Sequence, residues 1–287
     1  MAQTTSDLLI VPEVWGDMSQ AQFIGAVRVA GSAAVMEDNT LQGQPGDTIH
    51  FPKWGALGDL DDLDETDILV PVAMSTDDAT ATIKEAGKAV ELTDKSRLTA
   101  LGNADAEARR QFGILAARKV DAALITQAQA DESAFGGGLP LKWTGTAGAG
   151  ANVLSWKKAI VPAIGQFGDE WDPDVFAGLF INSAQLQDAF ADDSFVNAAT
   201  LGNGPSAAAT GSIGRIAGVP VFVTNRVSAG KFLLLKNNSL GLLYKQRPQV
   251  ESDRDILARS TVITTTLHYA VKRLDDRGVC VGTLAAS

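Results

Sequence analysis

Cysteine and histidine are scarce in this chain of 287 residues, which has one cysteine, Cys280, and two histidines, His50 and His268. A lone cysteine excludes an internal disulfide, and its apolar neighbours predict a buried strand residue rather than a nucleophile. Transition-metal sites usually draw on several histidine or cysteine ligands. Neither histidine has a partner at metal-binding spacing, so the sequence predicts no transition-metal centre.

Long apolar runs and basic clusters are also lacking. The apolar run at 8–11 is too short for the core of a secretion signal or for a membrane span, so we expect a soluble protein made inside the cell. Lysine and arginine number 24 against 34 aspartate and glutamate residues, a formal net charge of −10. A negatively charged chain repels phosphate, which disfavours direct nucleic-acid recognition. The same charge suits a protein surface that lies close to DNA without binding it.

Motifs for catalysis and cofactor binding are missing as well. No nucleophile elbow accompanies His268, the stretch Gly202-Asn203-Gly204 lacks the further glycine of a dinucleotide loop, and no Walker-type phosphate loop occurs. The sequence therefore predicts no cofactor and no catalytic residues. A carboxylate-based hydrolase stays open as an alternative, because 34 acidic residues leave too many possible pairs to test.

The most acidic stretch runs from Gly58 to Asp67 and reads G-D-L-D-D-L-D-E-T-D. A calcium loop of the EF-hand type needs an oxygen ligand at position five, glycine at six and a bidentate glutamate at twelve. Counted from Asp59, those positions hold Leu63, Asp64 and Val70. The pattern predicts a solvated turn whose charges prevent aggregation of the adjoining strands, not a metal site.

Two predicted strands flank this acidic stretch. From Gly46 to Gly55 the residues alternate, which puts Ile49 and Phe51 on one face. A second extended run begins at Ile68 and continues past a proline to Val90. The acidic stretch is therefore predicted to be the end of a long hairpin.

The clearest predicted helix begins at Thr93 and continues to Gln127. At about 1.5 Å per residue it would span roughly 50 Å, which is typical of a spine laid along a larger body. Charged residues largely turn away from its predicted apolar face, among them Arg109, Arg110, Arg118 and Lys119. The apolar face consists of Leu98, Leu101, Ala108, Phe112, Leu115 and Ala122.

The second half of the chain alternates short helices and strands after a glycine-rich boundary at 136–150. Ser155 is predicted to cap a helix, and 175–181 reads as a buried strand. Asn182 and Gln185 have capping-box spacing. Two further strands are predicted to turn at Asn237-Asn238.

The last long strand begins at Thr261 and puts Ile263, Leu267, Tyr269 and Val271 on one face. Together with the earlier helices and strands it predicts the α+β class.

This order of elements resembles the major capsid protein of tailed bacteriophages, with its Hong Kong 97-like fold. Three stretches sharpen the resemblance. K-A-V-E-L-T-D-K-S begins at Lys88 and leads into the long helix, F-I-N-S-A-Q-L-Q-D-A-F begins at Phe180, and G-R-I-A-G-V-P-V-F-V-T-N begins at Gly214. The resemblance covers essentially the whole chain.

The resemblance implies a division of the chain into five segments. An N-terminal arm occupies 1–45, an extended β-hairpin loop 46–92, and a peripheral domain with the long spine helix 93–150. The axial domain occupies 151–239, and 240–287 returns to the peripheral domain as strands. We expect the arm, at 1–40, to be ordered only in the assembled state.

The resemblance also implies a structural role without enzymatic activity. Copies of the chain would assemble through pentamers and hexamers into an icosahedral head that encloses the double-stranded DNA genome without sequence-specific contact. A separate scaffolding protein and a portal are expected partners, a cement protein is a further candidate, and no membrane is implied. Synthesis would take place in the bacterial host cytoplasm. An encapsulin-like nanocompartment shell stays open as an alternative.

Five residues of the hairpin are the predicted contact with a neighbouring subunit. An isolated ribbon would leave their side chains exposed, and exposed apolar groups usually mark a contact surface. A contact between different patches of two copies closes into a ring when repeated. The five residues are Phe51, Trp54, Leu57, Leu60 and Leu63.

Overall fold

The computed structural model describes most of the chain, in nine segments that together hold two sheets, one separate hairpin and several helices. The described residues are 28–39, 46–54, 62, 71–74, 76–99, 104–130, 141–145, 153–192 and 214–284. Of the predicted arm, 1–45, only 28–39 is described. Val29 and Ala34 are fully buried in the core of their own chain, so the expectation that 1–40 is ordered only in the assembled state is wrong for this part. No helix in these segments is long and apolar enough to cross a membrane.

A four-stranded sheet is built from strands that lie far apart in sequence. Its order is β1 (Val35–Asp38), β10 (Leu240–Asp255), β11 (Ser260–Arg273) and β4 (Lys84–Thr93). The short β1 runs parallel to β10, and the other pairs are antiparallel. Residues 263, 265, 267, 269 and 271 of β11 are buried, which confirms the predicted alternation of that strand.

A six-stranded sheet forms the second layer of the molecule. Its central strand is buried at every residue from Phe176 to Ile181, which confirms the prediction of a buried strand there. Cys280 lies in this sheet and is fully buried, as predicted. In sheet order the strands are β5 (Leu141–Thr144), β12 (Val279–Thr283), β9 (Lys231–Lys236), β6 (Phe176–Ile181), β8 (Val219–Val223) and β7 (Arg215–Ile216).

The turn at Asn237-Asn238 joins the two sheets instead of closing a hairpin. Asn238 adopts a φ of 55°, a conformation that asparagine tolerates better than most residues. Strand β9 before the turn pairs in the six-stranded sheet, and β10 after it pairs in the four-stranded sheet. The predicted turn is confirmed, but the expected hairpin pairing is wrong, because each strand buries its apolar residues against different partners.

Two helices occupy the region predicted as one spine. Strand β4 extends through Thr93, α1 covers Asp94–Thr99, and α2 covers Ala104–Ala128, with 100–103 outside the described residues. At about 1.5 Å per residue, α2 is roughly 37 Å long, shorter than predicted.

The buried face of α2 differs from the predicted one. Phe112 is buried as predicted, but Leu115 is 39% exposed and Leu98 in α1 is 86% exposed. Arg109, predicted to point away, is 9% exposed. Small residues let the helix lie close to β10 and β11, and the face that meets the sheet carries Phe112, Ala116, Ala117, Val120, Leu124, Ile125 and Ala128.

The helix predicted to follow Ser155 is short and begins with a π turn at Trp156–Ile160, followed by α3 at Val161–Gly165. The side chain of Ser155 makes no capping hydrogen bond, so that part of the prediction is wrong. Asp192, which lies outside this helix, supplies the acceptor instead: the N–H of Trp156 donates to Oδ2 of Asp192 at 3.0 Å.

Helix α4 spans Ser183–Ala191 and begins with the predicted capping box. The side chain of Asn182 accepts from the N–H of Ala184, and the side-chain oxygen of Gln185 accepts from the N–H of Asn182 at 2.9 Å. These bonds satisfy N–H groups that have no partner within the helix.

Candidate intersubunit surfaces

The predicted extended loop begins as a separate two-stranded hairpin. Strand β2 (Thr48–Trp54) pairs antiparallel with β3 (Thr76–Thr82), and Trp54 faces Thr76 at the far end of the ladder. The acidic stretch lies in the connection between the two strands, as predicted. Of its ten residues only Asp62 is described, and it is exposed.

The root of this hairpin packs on the four-stranded sheet of its own chain. Ile49 and Ala81 are buried together with Leu243 of β10 and Ala270 of β11. Phe51 is half-buried against this cluster. Packing inside the subunit therefore covers part of the hairpin face that the sequence predicts to be exposed, because alternation shows which residues share a face but not what covers it.

The other predicted contact residues lie further along the hairpin. Trp54 is the last residue of β2, and the structure describes its backbone but not its side chain. Leu57, Leu60 and Leu63 lie outside the described residues. The contact role of all five residues stays a prediction.

Exposed apolar side chains do occur on the chain that returns to β3. In the stretch 71–74, which we call the return limb, Val72 is 76% exposed and Met74 is 61% exposed. Large apolar groups exposed to water usually mark a surface that another molecule covers.

A second apolar surface lies at the turn between β10 and β11. Ile256 is 78% exposed and Leu257 is 95% exposed. The turn is held in one shape, because Oδ1 of Asp255 accepts from the N–H groups of Leu257 and Ala258, each at 2.9 Å. Arg259 closes the turn with a φ of 53°, which is unusual for a residue other than glycine.

Helix α1 packs beside this turn and adds a third apolar side chain to the same end of the sheet. The N–H of Asp94 donates to the carbonyl oxygen of Arg259 at 2.9 Å, and the Arg254 guanidinium lies 3.0 Å from the Asp94 carboxylate. Leu98 of α1 is 86% exposed. We call Leu98, Ile256 and Leu257 the tip surface; sequence reasoning missed it, although two adjacent apolar residues in a polar turn were a visible signal.

Ion pairs also involve α1, which carries Leu98 of the tip surface, and α2. An ion pair between Arg97 and Asp105 joins α1 to α2. Within α2, Arg110 lies 2.6 Å from Glu107, and its hydrogen bond lowers the pKa of Glu107 to about 2.

His50, His268 and Cys280 lie in three different strands. Within the segments that the structure describes, no group of three or more His, Cys, Asp or Glu side chains could hold a metal ion. His50 lies exposed in β2, and Nε2 of His268 in β11 lies 3.7 Å from Glu85, so both are strand residues as predicted. Burial raises the pKa of the Cys280 thiol to about 12.

Comparisons with known proteins point to one class. A family model described as phage capsid protein matches residues 76–282. The major capsid protein of Staphylococcus phage phiMR11 is 31% identical over 270 residues, which cover 93% of this chain and 90% of that protein.

Solved structures show the same fold at lower sequence identity. The capsid of cyanophage Pam1 matches with a TM-score of 0.69 at 16% identity, covering 93% of each chain. The mature capsid of bacteriophage PhiM1 matches with a TM-score of 0.67 at 14% identity, covering 89% of this chain and 86% of that one.

These findings define a structural protein of a viral shell with a capsid-type α+β fold. The chain belongs to the phage capsid protein family. The predicted structural role is confirmed, and the hydrolase alternative is set aside because the family is a structural one. As a capsid protein the chain is part of a virion and acts as one of many subunits in a shell.

Proposed function

We propose that this protein is the major subunit of an icosahedral phage head, which it builds through pentamers and hexamers around double-stranded DNA. One observation carries the proposal beyond family membership. The five most exposed large apolar side chains among the described residues are Leu257, Leu98, Ile256, Val72 and Met74. All five belong to the tip surface or the return limb, so the exposed apolar groups suited to contact are concentrated on these two surfaces.

The hairpin is the first proposed contact. Its root is anchored on its own sheet through Ile49 and Ala81, and the limb 71–74, which precedes β3, is exposed. A two-stranded ribbon is marginal alone. Its outer part, including Leu57, Leu60 and Leu63, therefore gains its packing from a neighbouring subunit. Such a contact joins unlike patches and closes into rings when repeated.

The tip surface is the second proposed contact. Its turn is preformed by the Asp255 carboxylate, so few conformations are lost when it becomes buried. The turn is apolar and preformed, and it lies beside a charged helix end. Its partner in this proposal is another copy of the same chain, because a closed shell is built by repeating contacts between copies of one chain.

The Hong Kong 97-like division into segments belongs to the same proposal. The arm covers 1–45, the extended loop 46–92, the peripheral domain 93–150 with 240–287, and the axial domain 151–239. Four strands pair outside their segments in this division: β1 and β4 pair in the four-stranded sheet assigned to the peripheral domain, whereas β5 and β12 pair in the six-stranded sheet assigned to the axial domain.

Partners follow from charge and from the needs of a shell. With a formal net charge of −10, the subunit encloses DNA without sequence-specific contact. A separate scaffolding protein and a portal take part in assembly, a cement protein is a candidate for the outer surface, and synthesis takes place in the bacterial host cytoplasm. The phage origin of the relatives favours this head over an encapsulin-like compartment.

Electron microscopy of the purified full-length chain, alone and after co-expression with neighbouring phage genes, tests the proposal. Closed shells are expected. Persistent monomers under all these conditions would refute it, and shells that hold cargo enzymes in place of DNA would support the compartment instead.

A double variant tests the tip surface directly. Ile256→Ser with Leu257→Ser removes apolar contact area and leaves the core untouched, since both residues are exposed. We expect unchanged thermal unfolding of the free subunit and a loss of shells. Ile256→Val with Leu257→Met keeps the surface apolar and is the matched control, which should assemble. Normal shells from the serine variant would show that the tip surface is not a contact.

A further inference from the structure

A buried carboxylate on α2 binds residues 28–30 of the predicted N-terminal arm. Asp121 is 4% exposed, and both of its oxygens accept hydrogen bonds from backbone groups far away in sequence. Oδ2 accepts from the N–H of Arg28 at 2.9 Å, and Oδ1 accepts from the N–H of Ala30 at 3.2 Å. The carboxylate thus supplies acceptors for a bend that has no strand partner at these positions.

The apolar surroundings of Asp121 make its ionised form costly unless its oxygens accept hydrogen bonds. Its neighbours along the buried face of α2 are apolar, among them Ala117, Val120 and Leu124. Burial raises the pKa of Asp121, while the N–H groups of Arg28, Val29 and Ala30 act in the opposite direction. An ionised carboxylate in such a place persists when several donors satisfy it.

The segment Arg28–Asn39, which we call the arm root, is then fixed at further points along its length. Val29 and Ala34 are fully buried in the main core. The N–H of Asn238 donates to the carbonyl oxygen of Ala33, and the N–H of Leu240 donates to that of Ala34, each at 2.9 Å. Strand β1 follows and pairs with β10.

We propose that Asp121 is a positioning residue that sets where, and in which direction, residues 1–27 leave the subunit. The backbone bonds that join the arm root to Asn238 and Leu240 begin at Ala33, so Asp121 holds its first described residues. A fixed exit point on α2 gives the arm of every subunit the same starting place, as a contact repeated around a ring requires. This inference rests on the proposed function, because it assigns the arm to a contact between subunits.

Asp121→Asn is the variant that tests the contact. Asparagine keeps the volume and one acceptor oxygen, but its amide nitrogen is a donor and faces either the N–H of Arg28 or that of Ala30. The matched control is Asp188→Asn in α4, where a half-buried carboxylate accepts from the N–H of Leu154 at 3.1 Å and has no contact with the arm root. Both variants lose a carboxylate that binds backbone.

Hydrogen exchange of free full-length subunits is the first measurement. We expect amide exchange across the arm root to become at least about tenfold faster in Asp121→Asn and to stay unchanged in Asp188→Asn. Ala30→Pro, which deletes one donor and leaves Asp121 in place, should speed exchange at the same residues, and it decides the question if Asp121→Asn does not fold. Unchanged protection of the arm root would overturn the proposal.

Particle formation is the second measurement. Asp121→Asn should give at least about tenfold fewer normal shells than Asp188→Asn at temperatures where both subunits are equally folded. Equal shell yields from the two variants would overturn the positioning role. Failure of the parent chain to form shells would count against the proposed function, whereas the exchange measurement on free subunits would still decide the contact made by Asp121.

Discussion

The ribbons β2–β3 and β10–β11 are both antiparallel pairs with alternating apolar residues, but their own chain covers them to different extents. The β10–β11 ribbon lies between β1 and β4 and carries α2 on one face, so its most exposed apolar residues are confined to the turn. The β2–β3 ribbon pairs with no other described strand and is anchored mainly at its root by Ile49 and Ala81. The comparison teaches that similar local patterns can serve a subunit's core in one place and its assembly in another.

The largest expected effect comes from removing the outer part of β2–β3. Trp54 and Thr76 face each other, so a two-residue Asn-Gly turn can replace 55–75 without disturbing the remaining ladder. We expect thermal unfolding close to that of the parent and complete loss of normal shells. The chain with Asp61→Asn and Asp62→Asn keeps its full length and should still assemble. Normal shells from the shortened chain would contradict the assigned role of the hairpin.

A smaller but measurable effect is expected where the two ribbons meet. Leu243 of β10 is fully buried where the hairpin root packs on the β10–β11 ribbon. Leu243→Ala should therefore lower the free energy of unfolding by about 2–5 kcal/mol. Leu257→Ala removes the same atoms at a 95% exposed position and should change it by less than about 0.5 kcal/mol. Urea unfolding of free subunits measures both. Similar losses for the two variants would mean that the place where the ribbons meet is no better buried than the tip surface.

The smallest expected effect concerns the acidic stretch that ends the hairpin. Its spacing fails the calcium pattern at Leu63, Asp64 and Val70, so a chelator should leave assembled particles unchanged. Particle integrity can be followed by light scattering before and after chelation. Dissociation that added calcium reverses would show that ligands are shared between subunits, and the hairpin would then depend on a metal that β10–β11 does not need.

Local sequence was sufficient for features whose physics is local. The capping box of Asn182 and Gln185 follows from residues three apart, and the alternation of β11 follows from the two-residue period of a strand. The apolar run at 175–181 predicted a buried strand, and the lone Cys280 among apolar neighbours predicted a buried strand residue; 176–181 and Cys280 are buried. The α+β class and the order of elements were predicted by combining such local signals along the chain.

Only the tertiary structure decided which elements cover one another. Strands β9 and β10 follow each other in sequence but lie in different sheets, because β9 pairs with β6 and β12 whereas β10 pairs with β11 and β1. The helix period allowed several faces for α2, and contact with β10 and β11 selected the one that buries Asp121 and leaves Leu115 exposed. Phe51 shares its face with Ile49 by sequence alone, whereas its burial on Leu243 and Ala270 required the chain to fold back across almost two hundred residues.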